Sequence, residues 1–166
     1  MKARTGHAHP LAVVAVGLVI LIAGTALAQS SNSSLGTWKL NVAKSTYDAG
    51  TAPKSLTITN EAAGAGVKST SDGVTGDGTV VRREYTVNYD GKDYVTGDLS
   101  RDGVAVTRVD TRVDANTVKT IYKRGGTVTT TMTAVVSSDG KTMTCTIQIT
   151  SERGQTFTSV AVFDKQ

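Results

Sequence analysis

Thr127-Val-Thr-Thr-Thr-Met-Thr-Ala-Val-Val136 and Lys141-Thr-Met-Thr-Cys-Thr-Ile-Gln-Ile-Thr150 stand on either side of Ser137-Ser-Asp-Gly140. In the second stretch Met143, Cys145, Ile147 and Ile149 take alternate positions, with Thr142, Thr144, Thr146 and Gln148 between them. In the first, Val128, Met132, Ala134 and Val136 share one parity with Thr130. A period of two over such lengths belongs to strands with one buried face. Asp139-Gly140 suits the connecting hairpin, because both residues take positive φ at little cost.

The pattern recurs in both directions. Val81, Arg83, Tyr85, Val87 and Tyr89 form another alternating face. Asp72-Gly73, Asp77-Gly78, Asp90-Gly91 and Asp102-Gly103 repeat the turn signal, and Gly125-Gly126 and Arg153-Gly154 add two more breaks. The residues between turns are mostly Val, Thr, Ile and Tyr, which fit a pleated, half-buried surface. Ten strands are expected, near 36–41, 54–61, 65–71, 79–89, 92–97, 104–112, 117–124, 126–137, 141–150 and 155–164. Only Asn41 to Pro53 offers room for a short helical turn. The fold class expected is all-β: an antiparallel up-and-down meander of about 8–10 strands. Closing such a meander into a barrel removes exposed edges. A β-sandwich is the alternative.

The start of the chain reads as a separate device. Lys2 and Arg4 precede an apolar run from Leu11 to Ile22, and Ala26-Leu-Ala28 follows. A basic start, a short apolar run and an A-x-A site describe a secretory signal peptide over residues 1–28. The run is short of the ~20 residues that span a membrane, so no transmembrane anchor is expected after cleavage. A polar lead-in, residues 29–34, is expected to be disordered, and residues 35–166 to form one barrel domain. The destination expected is periplasmic or secreted.

Composition narrows the chemistry. His7 and His9 are the only histidines and both lie in the leader. The remaining 138 residues therefore hold no catalytic triad, Cys–His pair or His-ligated zinc. Cys145 is the single cysteine, so no internal disulfide forms; on its apolar face it reads as a small core residue. Without the leader, the 16 basic and 14 acidic residues nearly balance. Arg82-Arg83 and Lys123-Arg124 are the only adjacent basic pairs there, which gives no nucleic-acid footprint. Asp72, Asp77, Asp90, Asp102, Asp139 and Glu152 sit at expected turns, where turn chemistry accounts for them. Asp72 to Gly78 reads as two linked turns, because it lacks the ligand spacing of a calcium loop. No catalytic residue, metal site or cofactor is indicated, and enzyme activity is not expected. An outer-membrane barrel would need aromatic girdles, and one Trp, five Tyr and two Phe do not supply them.

Gly36-Thr-Trp-Lys-Leu40 opens the first expected strand. A Gly-x-Trp there resembles the signature of lipocalins and fatty-acid-binding proteins, the calycin group, and the fuller motif is most similar to the latter. Asp90-Gly-Lys-Asp-Tyr94 is similar to a mid-chain turn and strand of that group, and Val160-Ala-Val-Phe-Asp-Lys165 to its closing strand. The chain also resembles poorly characterised exported lipocalin-like proteins of soil bacteria. The resemblance implies a barrel that binds a small apolar or amphipathic ligand. Two departures stand out. Fatty-acid-binding proteins carry a helix pair after the first strand, for which Asn41 to Pro53 is too short. Their Arg-x-Tyr carboxylate clamp on the last strand is matched here by Ala161 and Phe163.

With the barrel as frame, Arg83, Tyr85, Tyr122, Phe157 and Phe163 are the expected ligand-facing residues. Gly36, Trp38 and Cys145 are expected to be structural, with Trp38 plugging one end. Arg83 would need an acidic partner if buried, and an anionic ligand head is one option. The competing reading is an envelope protein with a filled core that binds a protein partner, since barrels of about eight strands often hold only their own side chains.

Overall fold

A computed structural model describes residues 32–48, 52–99 and 103–166. The expected leader, most of the polar lead-in and the Asp102 side of one turn lie outside these residues. All ten expected strands form: β1 (Gly36–Leu40), β2 (Ser55–Ala63), β3 (Gly66–Val74), β4 (Val80–Val87), β5 (Tyr94–Leu99), β6 (Ala105–Arg112), β7 (Thr117–Arg124), β8 (Thr127–Val136), β9 (Thr142–Thr150) and β10 (Thr156–Lys165). A 3-10 turn at Val42–Lys44 follows β1 and is capped by Asn41, whose side chain accepts from the Lys44 N–H.

The strands make one antiparallel sheet in the order β4-β3-β2-β1-β10-β9-β8-β7-β6-β5. Chain neighbours pair throughout, except at one place. First and last strands also pair, with Trp38 opposite Lys165 and Leu40 opposite Phe163. The meander therefore curls into a barrel, and among the described residues the unpaired junction in this order is the seam between β4 and β5. Inward faces follow the pleat: Cys145 lies opposite both Ala134 and Ala161, and Met143 opposite both Val136 and Phe163. These residues, with Trp38 and Leu40, are the apolar core.

The Gly-x-Trp motif has a physical reason in what packs on it. Trp38 is wholly buried, and its Nε1 donates to the Ser34 carbonyl oxygen at 2.8 Å. Lys165 lies across the indole, its Nζ 5.0 Å from the ring centroid. A Cβ on Gly36 would sit 3.0 Å from Lys165 Cε, and Gly36 has φ +112, a left-handed value that other residues rarely take. Glycine thus lets the lysine stem cover the tryptophan.

Three expectations are corrected. Asp72-Gly73 is no turn but the end of β3, where Gly73 faces Leu56. A Cβ there would meet the Ser55 carbonyl oxygen at 2.5 Å, so Gly73 serves close strand approach. Val128 does not share the inward face of β8. Register shifts so that Tyr122 opposes Thr130 and Lys123 opposes Val128; the bulge turns Val128 outward, 47% exposed. The described part of the lead-in is ordered, with Leu35 N–H bonded to the Asn32 carbonyl, Ser33 Oγ to the Ala115 carbonyl and Asn60 Nδ2 to the Ser34 carbonyl.

Candidate functional site

The inward faces do not meet at the centre. They enclose a cavity of about 230 Å³. Its walls are mostly apolar: Ile58 and Val67 on one side, Met132, Met143 and Cys145 on the other, with Ala161 and Phe163 between. Strand alternation puts them there, since each is an inward position of its strand. Asn32, Ser34, Tyr89 and Asn116 line it too, and Ser33 Oγ ties the N-terminal turn to the Ala115 carbonyl.

One wall is polar. Arg108 and Asp110 are inward neighbours two residues apart on β6, and both line the cavity. They are 8% and 4% exposed. Arg108 Nε donates to Asp110 Oδ2 at 2.8 Å, and Nη2 to Oδ1 at 2.6 Å, a two-pronged pair. Thr120, opposite Asp110 on β7, donates its hydroxyl to Oδ1 at 2.7 Å. The guanidinium carbon lies 4.7 Å from the Tyr85 ring centroid and 5.5 Å from that of Tyr122. Burial works against the Arg108 charge, but the hydrogen bonds of Asp110 and the nearness of Tyr122, Asp110 and Tyr85 outweigh it. The guanidinium is held above its ordinary value.

Tyr85 belongs to β4 and Arg108 to β6, so their contact bridges the unpaired seam. A second pair does the same. Arg112, at the end of β6, places its guanidinium 4.6 Å from the ring of Tyr89, just past β4. Tyr89 has φ +56, a conformation costly for a bulky residue. Its hydroxyl accepts from Asn32 Nδ2 at 3.4 Å.

Of the five residues expected to face a ligand, Phe163 alone lines the cavity. Tyr85 and Tyr122 are half-buried and stack on Arg108 instead. Arg83 is exposed on β4, so the interior cation is Arg108 in its place. Phe157 is half-buried, in the cross-strand row Arg108, Tyr122, Thr130, Ile149, Phe157, and does not line the cavity. Of the three expected structural residues, Trp38 is wholly buried in the apolar core, Gly36 lies against Lys165, and Cys145 is part of the cavity wall. Burial pushes the Cys145 thiol up to about 12, which leaves it a neutral, unreactive wall group. Burial, chiefly, also raises Tyr47, another lining residue.

The sequence reading missed Arg108, Asp110 and Thr120. Their signal was an Arg-x-Asp within a strand, two opposite charges on one face. Pairing β6 to β7 across the turn at 113–116 sets that face against Thr120 and Tyr122, and so inward. Among the described residues no cluster of His, Cys, Asp or Glu is arranged to hold a metal. No helix among them is long and apolar enough to cross a membrane.

No protein-family model matches the chain, and no curated protein matches it. Solved structures do. A Schistosoma mansoni fatty acid binding protein in complex with arachidonic acid is similar with TM-score 0.55 and 14% identity, over 82% of this chain and 98% of that one. Zebrafish ileal bile acid-binding protein, complexed with cholic acid, is similar with TM-score 0.52 and 13% identity, over 81% and 99%. The fold of this chain is that of the fatty-acid- and bile-acid-binding barrels.

Proposed function

We propose that the protein binds a small apolar or amphipathic molecule inside its barrel and performs no chemistry on it. The observation that carries this reading is the cavity. A filled-core protein would have no need of 230 Å³ of space walled by Ile58, Met132, Met143 and Phe163. The volume exceeds the ~150 Å³ that holds benzene in an engineered core and falls below the ~300–1,000 Å³ of ordinary ligand pockets, which suits a small occupant. The two similar structures hold arachidonic acid and cholic acid, both amphipathic, and support the same use of the fold. Absence of catalysis is supported by the wall itself. Its charged groups are bonded to each other and its thiol is held neutral.

Export is part of the proposal and rests on the leader-like residues 1–28. Placement outside the cytoplasm suits a chain whose single thiol is buried. Native mass spectrometry of the protein recovered from its compartment tests both. A shortened chain carrying a small molecule, lost on solvent extraction and regained from lipid extract, is the expected result. A bare chain that regains nothing would sink the binding reading, and an unshortened intracellular chain would sink export.

A further inference from the structure

The cavity's one cation is already neutralised, and this decides what the cavity accepts. We infer that its ligand is an uncharged molecule with a hydroxyl donor, not a carboxylate, and that Asp110 accepts from that hydroxyl. The inference rests on the binding reading above and deepens it. An anionic head entering the barrel would need the Arg108 guanidinium. Two of its donor nitrogens are taken by Asp110, at 2.8 and 2.6 Å, and aromatic rings lie 4.7 and 5.5 Å from its centre. A carboxylate that displaced Asp110 would leave the latter's charge buried without its partner, and one that took only the remaining Nη1 would set a second buried anion beside Asp110 on a cation that Asp110 already balances. Neither route repays the lost hydration of the anion.

An uncharged hydroxyl meets no such obstacle. An ionised carboxylate has about four acceptor sites. Asp110 uses Oδ1 for Arg108 Nη2 and the Thr120 hydroxyl, and Oδ2 for Arg108 Nε, so Oδ2 keeps capacity for one more donor. Asp110 lines the cavity, so that acceptor is within the reach of an occupant. The rest of the wall offers an alkyl or ring body the apolar faces of Met132, Ile147 and Phe163.

The test is calorimetric titration of the whole protein with octanol, octanoate and heptyl methyl ether at neutral pH. Octanol is expected to bind at least tenfold more tightly than octanoate, and severalfold more tightly than the ether, which has no donor. Octanoate binding as tightly as octanol overturns the inference and leaves the binding reading standing. Ether binding as tightly as octanol overturns the role of Asp110. No binding of any of the three overturns the binding reading itself. Asp110→Asn frees Arg108 and is expected to raise octanoate affinity at least tenfold; a folded variant with unchanged octanoate affinity contradicts the mechanism. The three wild-type titrations decide the matter even where that variant does not fold.

Discussion

The barrel is shut in two ways. At the β1–β10 junction the backbone does it. Trp38, Lys39 and Leu40 pair with Lys165, Asp164 and Phe163, and the chain beyond β1 adds N–H bonds from Asn41 to Val162 and from Val160 to Thr46. Behind that junction stand the two largest fully buried side chains among the described residues, Trp38 and Phe163. At the β4–β5 seam no strand pairing exists, and side chains bridge instead: Tyr85 with Arg108, Tyr89 with Arg112. A wall of backbone hydrogen bonds over an apolar core opens only with the fold. Cation–aromatic contacts such as these, each worth about 0.5–2 kcal/mol, give way more locally than a strand ladder does. The seam is therefore the expected side for traffic into the cavity, and the β1–β10 side the fixed frame.

Substitutions sharpen this difference. Trp38→Ala strikes the frame and is expected to cost about 4–5 kcal/mol, near the top of the range for deleting a large buried aromatic. Urea unfolding followed by circular dichroism measures it, and a loss under about 1 kcal/mol would break the distinction between frame and seam. Arg108→Ala leaves Asp110 buried beside Thr120 alone and is expected to cost about 3 kcal/mol. Replacing the pair together, Arg108→Met with Asp110→Leu, should cost much less, because no charge is then stranded. Equal losses in the single and double variants would show that the pair acts by packing and not by charge.

Tyr85→Leu removes one bridge only. A global loss of about 1 kcal/mol is expected. Amide exchange in β4 and β5 should quicken while β1 and β10 stay as protected as before. Uniform quickening would mean that the seam is no separate unit.

Acid gives the smallest effect. Asp90 beside the seam is held below its ordinary 3.8 by the Tyr94 hydroxyl and the Lys92 N–H, and Asp93 by Lys123 and Thr107. Asp164 at the frame is lowered by Asn41 and Lys44. A carboxylate with a depressed folded value adds stability above its unfolded value and loses it as pH falls through the folded one. Stability should thus be level down to about pH 4 and decline below it. Because these groups are exposed, the decline is shallow. A loss that sets in near pH 6 would contradict this assignment.

The frame was legible in the sequence and the seam was not. Each of the ten strands could be read because a half-buried strand writes its own period, as Met143, Cys145, Ile147 and Ile149 do. Gly36-Thr-Trp-Lys-Leu40 could be read from its own residues, although what requires glycine at 36 is Lys165 on the paired last strand. Departures from local reading arose where the reason is non-local. Val128 turned outward because of a bulge set by β7, and Gly73 served the approach of β2. The site followed the same rule. Phe163 was found by alternation. Arg83 was expected as the interior cation because it shares a face with Tyr85, yet it is exposed, and the buried cation comes from β6. Charged residues inside a strand look like solvated ones until the register shows that Arg108 and Asp110 answer each other.

The central claim is that the cavity between frame and seam is a binding site. Besides Met1, the only methionines are Met132 and Met143, and both line it. Carbon-13 methyl spectra of methionine-labelled protein, titrated with octanol, read the cavity directly. The account predicts saturable shifts of both the Met132 and Met143 signals with one common affinity. Two signals unmoved up to the solubility limit of octanol would contradict it.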